Sequence, residues 1–167
     1  MLVIFYLTSL LYLCTHTLHN YLIMKTIGSN SEHAEERTRD LLRVYFGYLE
    51  SCKHINMNDV FKRVVDMPAS RFWVSSARAT VVVAAIMRGD KLLYMRPNKR
   101  EMFFEIHRRA LEYRDKHPEW SLSRAVQTAV RQRAPKFYLS PGSARALILK
   151  GRKRWFAERK KRYSLSY

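Results

Sequence analysis

Six histidines, two cysteines and fourteen acidic residues are the groups this chain offers for acid–base, nucleophilic or metal chemistry. Their spacing does not favour any of the three. His16 and His19 have the i, i+3 spacing of two ligands on one helical turn, but no carboxylate lies near them, so no metal site is expected there. Cys52 and His54 supply a thiol and an imidazole, yet nearness in sequence is no guide to the geometry that nucleophilic catalysis needs. His107 stands beside Arg108 and is expected to be solvated. Glu35 and Glu36 are adjacent carboxylates at a helix start, where they complement the dipole. There is no glycine-rich phosphate loop and no nucleophile elbow. The expectation is a protein that is not an enzyme and has no cofactor. Cys14 and Cys52 are far apart and form no Cys-x-x-Cys pair, so a disulfide scaffold is not expected and a reducing compartment is.

What remains is the chemistry of cations. Thirty-one Lys and Arg against fourteen Asp and Glu leave a net charge of +17. Residues 1–24 carry no charged side chain, residues 25–88 carry +3, and residues 89–167 carry +14. A surface this basic attracts polyanions, and nucleic acid is the commonest of them. The candidate phosphate-binding residues are Arg71, Arg78, Lys136, Arg145, Lys150, Arg152, Lys153, Arg154, Arg159 and Lys160. Trp73, Tyr138 and Trp155 are candidates for stacking on bases, against the commoner role of aromatics in a core.

The elements that must position these groups show in a recurring block. "RFWVSSARA" begins at Arg71, and "KFYLSPGSARA" begins at Lys136. Sliding the chain by 65 residues brings Leu41 onto Ile106, Val60 onto Ala125, Val64 onto Ala129, Phe72 onto Phe137 and Ser75 onto Ser140. Beyond Ser140 the match of the two Ala-Arg-Ala segments requires two extra residues in the second copy. A period of this length predicts one supersecondary unit used twice.

Each unit reads as three helices. The first runs from Glu35 to Glu50, with Leu41, Leu42, Tyr45, Tyr48 and Leu49 as its apolar stripe; its copy runs from Arg100 to Lys116, with Met102, Phe103, Ile106, Ala110 and Tyr113. The second helix runs from Met57 to Asp66, after Asn56 as cap, and its counterpart follows Ser121. Ile55 and Trp120 precede these caps, where a hydrophobic staple would place them on Val60 and Ala125. The recurring block then runs extended from proline, plugs the core with Phe72 or Phe137, and caps the third helix at Ser75 or Ser140. The third helix of the first unit is apolar nearly all round until Gly89 and should be buried; that of the second turns basic. Lys91 to Met95 reads as a short strand or a helix extension.

The fold expected is therefore all-α: two tandem, similar trihelical units with a basic C-terminal helix or tail. The segments are an apolar leader at 1–24, a first unit at 25–89, a linker at 90–99, a second unit at 100–150 and a basic extension at 151–167. The leader reads as an upstream extension from a misassigned start, with Met24-Lys25 as a natural beginning, or as a membrane anchor. Its Thr, His and Asn residues make a poor membrane span.

In size, charge and the repeated block, "RFWVS" and "KFYLS", the chain resembles the small basic helical proteins of phages and other bacterial mobile elements, helix-turn-helix-like in outline. That resemblance implies no functional residue. The expected function is non-enzymatic binding of DNA, more readily than RNA, mainly through the phosphate backbone, as an accessory or regulatory factor in the cytoplasm or nucleoid. The first unit would be a support or a homodimer contact. The alternatives are RNA binding, a module tethered to the membrane by residues 1–24, and an adaptor for an acidic protein.

Overall fold

The computed structural model describes residues 33–164, and among them six helices and no strand. The apolar leader with His16 and His19, and the last three residues, lie outside the described residues. The helices are α1 (Ala34–Ser51), α2 (Met57–Asp66), α3 (Ser76–Met87), α4 (Pro97–Lys116), α5 (Leu122–Arg131) and α6 (Pro141–Ser164). No helix among the described residues is long and apolar enough to cross a membrane.

Local chemistry sets the boundaries. The Ser75 hydroxyl accepts the Arg78 N–H at 3.3 Å, the Ser121 hydroxyl accepts that of Arg124 at 3.3 Å, and the Ser140 hydroxyl accepts that of Ser143 at 3.2 Å. Each bond satisfies a donor that the helix itself leaves unpaired. α4 starts three residues earlier than its apolar stripe predicts, because Pro97 suits the first helical turn. α3 stops at Gly89, whose φ of +95° ends the helical path. The staple is not formed as expected at Ile55, which stays 48% exposed. Trp120 stacks on His117 at 4.3 Å and on Tyr113 at 5.9 Å, with the Arg124 guanidinium 4.6 Å from its ring.

The packing departs from chain order. α1 packs on α2 and α4 packs on α5, but α3 lies on α4 and α5, and α6 lies on α1 and α2. Each third helix thus completes the other pair. The linkers allow this because eight extended residues reach about 25 Å. They cross at an isolated antiparallel bridge, where Ala69 and Ala134 exchange both backbone hydrogen bonds, at 3.1 and 3.0 Å. On either side, the Phe72 N–H donates to the Val130 carbonyl at 3.1 Å, and the Phe137 N–H donates to the Val65 carbonyl at 3.0 Å. Buried apolar side chains from all six helices and both linkers form one core, which includes Tyr45, Phe72, Phe103, Ile106 and Ile148. Phe72 is held between the Tyr138 ring, 6.0 Å away, and the Arg109 guanidinium, 4.9 Å away.

Two further sequence expectations change. Ser75 and Ser140 are both caps, and Ala79 and Ala144, also 65 apart, are both fully buried. The register therefore runs without an insertion, and the two Ala-Arg-Ala segments do not occupy matching positions. Arg78 is the third helical residue of α3, whereas Arg145 is the fifth of α6. Lys91 to Met95 forms neither strand nor helix but a turn, with Leu92 buried at φ +51°.

Candidate nucleic-acid interface

α6 carries the largest group of candidate cations, and its placement depends on a glycine. A Cβ on Gly151 would lie 2.8 Å from Leu42 Cδ1 and 2.9 Å from Thr38 Cγ2, so the bare backbone is what lets α6 cross α1 this closely. Gly151 is buried, and no residue from 152 to 161 is. From Lys153 to Lys161 every residue is exposed, and the helix continues to Ser164. This arm presents Lys153, Arg154, Arg159, Lys160 and Lys161 against one acid, Glu158. At 1.5 Å per residue it extends about 20 Å past the crossing.

The cations of α6 differ in their surroundings. Arg152 turns inward, with its guanidinium 6.0 Å from the Tyr45 ring and Nη1 donating to the Tyr45 hydroxyl at 3.4 Å. Arg154 pairs with Glu35 of α1 at 3.0 Å, and both groups are well exposed, so the pair contributes little to stability. Arg159 lies 5.3 Å from the Trp155 ring. Trp155 is 40% exposed, is edge-on to Phe156 at 4.9 Å and stands 6.4 Å from Phe46. Beside the crossing, an open groove of about 300 Å³ brings Lys150 and Arg154 together with Arg39 of α1, which is not among the candidates above, and with the acids Glu35 and Glu158. Helical periodicity marks Arg39 only as a surface position. Its approach to α6 is a tertiary fact.

The other four candidate cations each face a different element. Lys136 pairs with Glu101 of α4 at 2.8 Å and lies 5.4 Å from the Tyr138 ring. The Arg71 guanidinium lies 5.8 Å from the Trp73 ring, and its Nε is buried without a hydrogen-bond partner. Arg78 acts on Tyr94 and Lys99, holding the Lys99 ammonium below its ordinary range after burial has done the same. Arg145 is 6.0 Å from the Phe61 ring of α2. None of these contacts joins them to the exposed arm.

The aromatic candidates also divide. Tyr138 is buried on Phe72, so its ring face is spent within the core. Burial, and then Glu105 and Glu101, push its hydroxyl up to about 12. Trp73 is half-buried, 6.3 Å from the His33 ring. Trp155 alone among the three stands open on a basic helix. His107, expected to be solvated, is half-buried, and burial lowers its pKa.

The acids of the second half gather elsewhere. On α4, Glu105 pairs with Arg108 and Arg109, both at 2.7 Å, and Arg108 also pairs with Glu112. These pairs offset part of the positive charge of α4, which carries six basic and four acidic residues, whereas the arm from Lys153 to Lys161 carries five basic residues and one acid. No group of three or more His, Cys, Asp or Glu that could hold a metal occurs among the described residues. Comparison with protein-family models, with curated proteins and with solved structures gave no match in any of the three.

Proposed function

We propose that this protein binds duplex DNA, chiefly through the phosphate backbone, as a non-enzymatic accessory or regulatory factor, with the α6 arm as its principal contact. One observation carries the reading: from Lys153 to Lys161 five cations and one acid stand exposed on a single helix. Like charges held this close repel one another unless an anion relieves them, and a phosphate backbone does so with release of its counterions. Trp155 and Phe156 add apolar surface that a purely solvating helix does not need.

The architecture offered for this task is a duplicated trihelical unit whose third helices have exchanged places. Three relations at a separation of 65 residues support it: the Ala69–Ala134 bridge, the Phe72 and Phe137 hydrogen bonds, and the Ser75 and Ser140 caps. In this reading α3 is the support and the extended α6 the binder, within a cytoplasmic protein of the kind that mobile elements carry. α3, expected from its sequence to be buried nearly all round, in fact buries Ala79, Val82, Val83 and Ile86 while Val81 and Met87 stand exposed.

The experiment is a salt-titrated binding isotherm on a duplex of about 20 base pairs. The expected result is an affinity that falls steeply with salt, with log K linear in log salt at a slope of about −0.9 per phosphate contact. Weak binding at low salt with no slope would overturn the proposal. The exposed Trp155 favours one second reading, single-stranded RNA. Preference for a single strand, with quenching of tryptophan emission, would establish that instead.

A further inference from the structure

The turn between α3 and α4 spends its buried contacts on holding two large side chains out in water. The Leu92 N–H donates to Asp90 Oδ1 at 2.7 Å, the Asp90 N–H donates to the Ala85 carbonyl at 3.1 Å, and the Met95 N–H donates to the Leu92 carbonyl at 3.0 Å. Leu92 sits at φ +51°, a strained value for leucine, and its side chain is fully buried. This anchor forces its neighbours outward, with Leu93 74% and Tyr94 67% exposed. They are the most exposed large apolar side chains among the described residues. Arg88, Lys91 and Arg96 are exposed and flank them along the chain, and Asp90 Oδ1 accepts the Leu92 N–H while its charge also acts on Tyr94.

A loop without a task would carry a polar residue at position 93, which stands 74% exposed, whereas Tyr94 keeps its hydroxyl beside Asp90 and Arg78. A strained backbone braced by hydrogen bonds is the usual accompaniment of a working tip. The ligand that fits must offer anionic groups for the flanking cations and apolar faces for the tip. A DNA duplex offers both, with phosphates on the rim and base steps between them. We infer that Leu93, backed by Tyr94, is a wedge that enters a base step of bound duplex DNA while Arg88, Lys91 and Arg96 hold the flanking phosphates.

This inference rests on the DNA-binding reading above and locates a second contact for it. The 65-residue relation supports the placement. It sets Arg88 opposite Lys153 and Arg96 opposite Lys161, so the turn occupies after α3 the place that the basic arm occupies after α6.

The test uses the full chain and a 20-base-pair duplex with 2-aminopurine at successive steps. Wild-type protein should unstack one step and raise its emission. Leu93→Ser should abolish that rise and weaken binding about tenfold, the loss expected when one apolar side chain is no longer buried. Its salt slope should stay unchanged, because no cation is removed. Leu93 has little to do with the core, so the far-UV circular dichroism of the variant should match wild type. Tight binding with flat 2-aminopurine emission at every step would overturn the wedge and leave the phosphate-binding reading in place. Failure of wild type to bind the duplex at any salt would overturn both. A further arm uses vesicles of phosphatidylcholine with phosphatidylglycerol. Vesicle binding that requires Leu93, with duplex binding indifferent to it, would also overturn the wedge and assign the tip to a lipid surface.

Discussion

Asp40 Oδ2 accepts two hydrogen bonds from Ser70, one from its backbone N–H at 2.8 Å and one from its hydroxyl at 2.9 Å. The relationship ties α1 to the linker one residue after Ala69, where the two linkers cross. The carboxylate is only 7% exposed, while its ion-pair partner Arg43, 2.6 Å away, lies largely in solvent. The bonds to Ser70 should therefore outweigh the ion pair in holding the crossing.

Asp40→Ala should cost about 1–2 kcal/mol, because two charge-assisted bonds are lost but water can reach Ser70. Asp40→Asn should cost less, since an acceptor oxygen remains. Chemical denaturation of the two variants at neutral pH distinguishes these outcomes. An Asp40→Ala midpoint equal to wild type would show that the latch carries no stability.

Stability should also fall in acid. Burial alone would raise the Asp40 pKa, but hydrogen bonds from Arg43 and Ser70 overcome it and hold the carboxyl below its ordinary value. Glu105 is lowered likewise, first by hydrogen bonding from Arg108, against burial, and then by Arg109. A carboxyl depressed on folding adds stability that is fully present above its unfolded pKa, about 4, and is lost as pH falls through the lower folded value. Melting temperature should decline gently as pH falls below about 6.5, because the unfolded His107 takes up a proton that the half-buried one resists. It should drop more steeply below about 4.5, and Asp40→Asn should flatten part of the steeper drop.

Gly151→Leu should push α6 away from α1 and destabilise the fold by about 1–3 kcal/mol, because Leu42 and Thr38 already occupy the space. Gly151→Ala should be milder, as helix propensity improves by about 1 kcal/mol while the side-chain tips give way. Equilibrium unfolding of both variants measures the difference. Equal stability of Gly151→Leu and wild type would show that the crossing is loose.

On the arm, replacing Lys153, Arg159 and Lys160 with alanine should leave the fold intact, for all three are exposed beyond the crossing. Each cation that contacts a phosphate should lower the magnitude of the salt slope by about 1 when removed. Lys136→Ala should affect stability more than the slope, since Lys136 is turned to Glu101 and Tyr138. A slope that responds to Lys136 and not to the arm would move the interface to α4.

Much of the local structure is legible in the residues alone. The stripe of Leu41 and Tyr45, and that of Phe103 and Ile106, repeat every three or four positions, and both are buried as that spacing requires. Ser75, Ser121 and Ser140 announce helix starts because a short side-chain oxygen can reach an orphan N–H. The basic tail is visible as composition, and its continuation as a helix through Gly151 agrees with its propensity. The turn at 88–96 is less legible, because Leu92 to Met95 are strand and helix formers whose conformation is imposed by Asp90 and by burial of one leucine.

Which residues are apolar, where helices begin and where the charge lies are properties of short stretches of chain, decided by side-chain chemistry within a turn or two. Which helix covers which is not local. A stripe on α3 states that a partner is needed but not that α4 and α5 supply it, and an extended linker reaches either pair. The close crossing at Gly151, the seclusion of Tyr138 and the outward thrust of Leu93 all follow from that choice of partners, which the packed core makes and no segment makes alone.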